Sequence, residues 1–201
     1  MKGELMRKII SILFLGVIFS AMTIPALAID KRDLYIRNKI RDDRCQKNLA
    51  ALYERLKFYA ETHNGNLPQA NNGAGLLQAA DEKNDYKYFL CNASRLKKIR
   101  HEKDLKAENV PYIYFGGINL PAALKRCPQL PLVADRPDAR HYFVLLADGT
   151  VIELEPAKVK RKISNCLDML EMLNDMYHYP ADVLESMRIK AKFIDRNAKW
   201  K

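Results

Sequence analysis

His141-Tyr-Phe-Val-Leu-Leu-Ala-Asp-Gly-Thr-Val-Ile-Glu-Leu-Glu155 decides the fold, because two apolar-rich runs flank the turn dipeptide Asp148-Gly149. A two-residue Asp-Gly loop favours a type I′ turn, whose positive φ values both residues tolerate, and such a turn sets the register of the strands it joins. Counting outward places Ala147 opposite Thr150, Leu145 opposite Ile152 and Phe143 opposite Leu154 on one side of the hairpin. Val144 opposite Glu153 and Tyr142 opposite Glu155 make the other side. One face is then apolar and needs a cover.

The cover is a helix. From Cys45 the apolar positions Leu49, Leu52, Leu56 and Tyr59, widened by Tyr53 and Ala60, recur at the spacing of one buried helical face, with Lys47, Glu54, Arg55 and Lys57 opposite. The helix is expected to stop at Asn64-Gly65, where Gly takes the left-handed cap and Pro68 bars continuation. Leu76-Leu77 reads as one helical turn in a loop over residues 69–85, Tyr86–Cys91 as a short strand or extended piece and residues 95–109 as a charged connector. Tyr112–Phe115 and Leu130–Ala134 are further extended segments, so the hairpin completes a small antiparallel sheet. Beyond Pro156 the period changes to that of helices. Ile163, Cys166 or Leu167, Leu170, Leu173 and Tyr177 mark one helix with Ser164 as N-cap, and Leu184, Met187, Ala191 and Ile194 mark a second, separated by Tyr179-Pro180. The fold class is α+β.

The 201 residues begin with Lys2, Arg7 and Lys8 ahead of an apolar run, and Pro25-Ala-Leu-Ala28 supplies the small residues of a signal-peptidase site. Residues 1–28 are therefore expected to be a signal peptide cleaved before Ile29; the competing reading keeps residues 9–28 as an uncleaved anchor. Either way the chain is exported, to the periplasm or the extracellular space. Residues 29–40 follow as a charged linker or helix start, 41–156 as the α+β domain and 157–201 as a helical hairpin. Without the signal the chain carries a net charge of +8 over 173 residues, densest at Arg95–Arg100 and Lys158–Lys162. Neither run has interleaved aromatics, so both read as solvated surface and no nucleic-acid partner is expected. Cys45, Cys91, Cys127 and Cys166 all survive cleavage, and an even count in an exported chain implies two disulfides, in any of three pairings. Their spacings of 46, 36 and 39 residues do not suit a short zinc or thiol-redox motif.

Cys45-Gln-Lys-Asn48-Leu49, continuing through Tyr59-Ala-Glu-Thr-His-Asn-Gly65 to Leu67-Pro68, resembles the opening of a class of bacterial type IV pilin-like proteins related to type II secretion pseudopilins. Phe89-Leu-Cys91, Tyr112–Gly117 and Leu132-Val-Ala-Asp135-Arg-Pro137 are similar to that class's next landmarks, and His141 with Asp148-Gly149 to its signature. The likeness covers residues 45–155. It departs in three ways: six residues rather than nine separate His141 from Asp148, Asn92 replaces a proline, and the prepilin leader and stem are absent. The resemblance implies a pilin-like head, with one long amphipathic helix on a small antiparallel sheet and Asn48, Leu49, Asp135, His141, Asp148 and Gly149 as fold landmarks. It also implies the pairing Cys45–Cys91, leaving Cys127–Cys166 to tie the appended hairpin to the sheet domain. The function implied is that of an exported, non-enzymatic pseudopilin-like protein with protein partners in the envelope or a secretion apparatus. The alternative is a soluble binding module for a ligand or an anionic surface polymer.

Catalytic motifs are missing. The chain has no Gly-x-Ser-x-Gly elbow, phosphate-binding glycine loop or His-Glu-x-x-His helix. His141 is expected beside Asp135 or Asp138, as a histidine hydrogen-bonded to a carboxylate, since no third ligand or nucleophile is evident in the sequence. Asp135, Asp138 and Asp148 are the carboxylates that would hold a loop calcium, but a single carbonyl-rich turn is weak support and no cofactor or metal is expected. Asn92-Ala-Ser94 matches a glycosylation sequon by chance.

Overall fold

A computed structural model describes residues 31–80, 85–89, 91, 103, 105–155 and 162–198. The signal segment, the sequon, the Arg95–Arg100 run and all of the Lys158–Lys162 run but Lys162 lie outside the described residues. The chain divides into two compact units, Met1–Lys39 and Ile40–Lys201. In the first, residues 31–39 form the opening turns of a helix and expose Leu34, Tyr35 and Ile36. The second holds everything that follows.

Helix α1 spans Lys31–Thr62, beginning well before the Cys45 start expected from the apolar stripe. No Gly or Pro interrupts residues 31–62, and Asp33/Arg37 and Lys39/Asp43 stand at the i, i+4 spacing that supports an exposed helix, so it propagates beyond its buried face. The stripe is as expected: Cys45, Leu49, Leu52, Leu56 and Ala60 are buried. Asn64 and Gly65 both take left-handed backbone, at φ 55° and 79°, and the Gly65 N–H reaches the Ala60 carbonyl at 2.8 Å, which ends the helix.

Among the described residues four strands form one antiparallel sheet in the order β1 (Tyr112–Tyr114), β2 (Pro131–Asp135), β3 (Phe143–Leu146), β4 (Val151–Glu153). With five α-helices they make an α+β fold. Helix α2 (Asn72–Ala79) is longer than the single turn expected, and the strand expected at Tyr86–Cys91 is instead a 3₁₀ turn over Asp85–Phe89 that buries Phe89. Helix α3 (Leu120–Arg126) lies in a segment that sequence reading left without a helix. Asn119 caps it, accepting the Ala122 N–H at 3.1 Å, and Pro121 follows in the first turn.

The hairpin exists, but its register is one residue away from that expected. Phe143 pairs with Glu153, Val144 with Ile152 and Leu145 with Val151. The connection is a three-residue loop, Ala147-Asp148-Gly149: the Leu146 carbonyl accepts the Gly149 N–H at 3.0 Å and the Thr150 carbonyl accepts the Leu146 N–H at 2.9 Å. Of these residues only Gly149 is left-handed, at φ 87°. The Asp148 carboxylate accepts the Thr150 N–H at 2.9 Å, a local bond that competes with the type I′ geometry. The shift carries Ile152 and Leu154 from the face of Phe143 and Leu145 to that of Tyr142 and Val144, so the apolar face of the hairpin is not the one expected. Every residue of β2 and β3 is buried, which requires cover on both sides of the sheet.

The C-terminal pair, α4 (Cys166–Tyr177) and α5 (Ala181–Asn197), belongs to the same compact unit as the sheet. Asn165, not Ser164, is the N-cap of α4, accepting the Asp168 N–H at 2.7 Å. Asp195 of α5 accepts the N–H groups of Cys166 and Leu167 at 2.8 and 3.1 Å, and this carboxylate at the positive end of α4 fixes where the helix begins. Leu184, Met187, Ala191 and Ile194 are the buried stripe of α5, as expected.

Candidate functional site

The chemistry-bearing side chains gather where α1 crosses the entrance to β3. Asp135 closes β2 and pairs in register with Tyr112 of β1, which puts its carboxylate inside the sheet at no measurable exposure. Its Oδ2 accepts the Phe143 N–H at 2.8 Å and lies 2.8 Å from His141 Nδ1. That contact makes Nδ1 the protonated nitrogen and leaves the lone pair of the neutral ring at Nε2. Asp138, the other candidate partner, is taken by Arg136 at 3.0 and 3.3 Å. The His141 ring is buried and tilts against Phe143 with centroids 4.6 Å apart.

Helix α1 brings Asp42 and Cys45, one turn apart on one face, to this imidazole. Asp42 Oδ1 is 3.8 Å from His141 Nε2 and 3.6 Å from Arg41 Nε. Cys45 Sγ is 3.3 Å from Cys91 Sγ, and Cys91 Sγ is 3.9 Å from Asp135 Oδ1. Cys45, Cys91 and His141 each offer a ligand atom within 4.8 Å of the others. Sequence reasoning found no third group for His141; the structure supplies two thiols and a second carboxylate. The only signal in the sequence was Asp42-x-x-Cys45, which a helix expected to begin at Cys45 left unread.

Burial sets the electrostatics. The Cys91 thiol is pushed far above the usual thiol range by its contact with Cys45 and then by burial, His141 pulling the other way. Burial opposes the charged form of His141, but the Asp135 carboxylate outweighs it with help from Cys91, raising the imidazole to about 10. Asp135 is itself pushed up by desolvation, with the His141 contact working against the rise. The Tyr112 hydroxyl, buried beside these groups, is held well above the phenol range by desolvation and then by Cys91, Asp135 and Cys45.

Neither implied disulfide is closed in the structure. The 3.3 Å between Cys45 and Cys91 is a thiol–thiol contact, against about 2.05 Å for a bond. Cys127, at the end of α3, and Cys166, opening α4, are buried thiols. Asn48 and Leu49 are buried on the α1 face that meets the sheet. Asp148 and Gly149 belong to the far end of β3, so Asp135, Asp138 and Asp148 each serve a different local contact.

No family model, no curated protein and no solved structure matches the chain. Among the described residues no helix is long and apolar enough to cross a membrane.

Proposed function

We propose that the chain is an exported, non-enzymatic protein of the pseudopilin-like kind, acting through protein contacts in the cell envelope or a secretion apparatus. The observation that carries this reading is a long helix packed on an antiparallel meander, with the residues of the pilin-like likeness at that junction: Asn48 and Leu49 on the helix, Asp135 and His141 at one end of β3, Asp148-Gly149 at the other. Such residues serve the fold and leave the outer surface for partners. The opening turns of α1 carry Leu34, Tyr35, Ile36 and Ile40 at 43–66% exposure, apolar surface of the sort that protein contacts use. The cluster at His141 is a poor starting point for catalysis, because Cys45 and His141 are buried and the Cys91 thiol is driven toward its unreactive protonated form.

Photo-crosslinking of the exported full chain tests this. A crosslinker replacing Tyr35 or Ile40 should capture an envelope or secretion component, while one at Ile189, equally exposed on α5, should not. A protein that begins at Ile29, stays monomeric and gives no crosslink at either α1 position would overturn it.

A further inference from the structure

Packing alone does not account for the polar atoms between α1 and the sheet. His141 Nε2 and Asp42 Oδ1 are both buried and neither has a hydrogen bond, although they face each other at 3.8 Å. An unmade hydrogen bond on a buried group costs about 1–3 kcal/mol, so two of them, one on an imidazole that lies within 4.8 Å of two thiols, need a common explanation. A Cys45–Cys91 disulfide would not supply it. It would consume both sulfurs and leave the imidazole nitrogen and the carboxylate oxygen as they were.

We propose that Cys45, Cys91, His141 and Asp42 form a four-coordinate zinc site that staples α1 to the sheet. The donor set suits the ion: two sulfurs, one imidazole nitrogen and one carboxylate oxygen are the ligands zinc takes, at about 2.3, 2.0 and 2.1 Å. At those bond lengths a tetrahedron places neighbouring donors about 3.3–3.8 Å apart. The ion needs about 3.8 Å between its two sulfurs and about 3.3 Å between the nitrogen and the oxygen, and the pairs Cys45/Cys91 at 3.3 Å and His141/Asp42 at 3.8 Å each need a shift of only about 0.5 Å to reach that spacing. The supporting shell is also in place, since Asp135 holds His141 through Nδ1 and the Phe143 N–H holds Asp135, which orients Nε2 toward the ion. On binding, each thiol gives up its proton to solvent and so does Nε2 of His141, which is protonated at neutral pH beside Asp135; each sulfur and Nε2 then donates a lone pair to the ion, and nothing is oxidised or reduced. With four protein ligands and no open position, the site is structural. It joins the helix, the segment at Cys91 and the β3 entrance, three parts of the chain far apart in sequence.

The test uses the full exported chain, with thiols alkylated at lysis so that their native state is fixed. Peptide mapping should show Cys45 and Cys91 unbridged, and elemental analysis of unalkylated protein should find about one zinc per chain. Cobalt(II) added to the metal-stripped, reduced chain should give thiolate charge-transfer and tetrahedral bands. Cys45→Ser and Cys91→Ser should lose both metals; Cys127→Ser and Cys166→Ser should keep them. Since Cys45 is buried and Cys91 half-buried against it, Asp42→Asn, at a partly exposed position, is the decisive variant: folded by circular dichroism, it should bind zinc at least about 10-fold more weakly. A Cys45–Cys91 disulfide in the exported protein, no metal bound by the reduced chain, or unchanged affinity in Asp42→Asn would each overturn the proposal.

Discussion

Helix α1 meets the two ends of β3 by different physics. Near the strand's entrance the contact is polar and buried: Asp42 and Cys45 meet His141, Asp135 and Cys91. Near its exit the contact is apolar, with the Tyr53 ring over the hairpin loop and its hydroxyl donating to the Ala147 carbonyl at 3.1 Å. The two contacts are consistent with a helix running along the strand. Residues 42–53 of a helix rise about 16 Å, and residues 141–147 of a strand about 20 Å. An apolar contact loses stability in proportion to the area removed, whereas a buried polar cluster fails as a unit when one member is left without its partner.

The largest effect is therefore expected at the entrance. Asp135→Ala strands the Phe143 N–H and the imidazole in a site closed to water, and should cost about 3–5 kcal/mol by urea unfolding in the presence of chelator. Asp135→Asn keeps an acceptor of the same shape and should recover part of that loss. If Asp135→Ala cost no more than a surface replacement, the entrance would not be a cooperative unit and the contrast with the exit would collapse.

Leu56→Ala breaks the apolar side of the comparison. Leu56 is fully buried in the α1 stripe, and its removal should lower stability by about 2–5 kcal/mol, in proportion to the cavity left behind. Zinc should not change that loss, because the side chain supports the stripe and not the polar cluster. A loss that depended on metal would mean the two kinds of contact are coupled through the helix.

The periodic parts of this arrangement could be read from the chain. Leu49, Leu52 and Leu56 declare a buried helical face, and the sequence around Asp148-Gly149 declares a hairpin, because both patterns are local. The hairpin's register could not be read. Asp-Gly serves either a two-residue type I′ loop or a three-residue loop in which Gly alone is left-handed, and the choice rests on a side-chain bond from Asp148 to Thr150. At the site, Asp135 with His141 was legible as one of two carboxylate partners six residues apart or closer. The arrival of Cys45, Cys91 and Asp42 was not, because 46 and 50 residues of chain separate Cys45 from Cys91 and Cys91 from His141, and only the folded helix–sheet junction closes those gaps. Helix α3 was missed for another reason: Asn119 and Pro121 are proper start signals, but the helix is only seven residues long and has no full apolar period to reveal it.

Gly149→Ala sharpens the comparison at the exit. A Cβ there would lie 2.7 Å from the Tyr53 ring, and the backbone is at φ 87°, so the substitution should cost about 1–3 kcal/mol. Two causes are combined, and they can be separated. Placed on a Tyr53→Ala background, Gly149→Ala should keep the backbone part and lose the steric part, giving a coupling of about 0.5–3 kcal/mol in a double-mutant cycle. Coupling near zero would show that the ring moves aside and that the loop is constrained by its backbone alone.

The smallest effect isolates the hydrogen bond that Tyr53 makes at the apolar end. Tyr53→Phe removes the hydroxyl and keeps the ring, so the cover over Gly149 survives and only the bond to the Ala147 carbonyl is lost. Tyr53 is only partly buried, which allows water to reach the carbonyl in its place, and the expected loss is about 0.5–1.5 kcal/mol in the urea midpoint. The hydroxyl's pKa lies above its ordinary value, through burial first and then the charges of Asp148 and Glu54, so it stays a neutral donor across the range in which the protein is handled. The wild type and Tyr53→Phe should therefore differ by a constant amount from pH 6 to 8. A loss several times larger would mean that the exit, like the entrance, depends on a polar contact that water cannot replace.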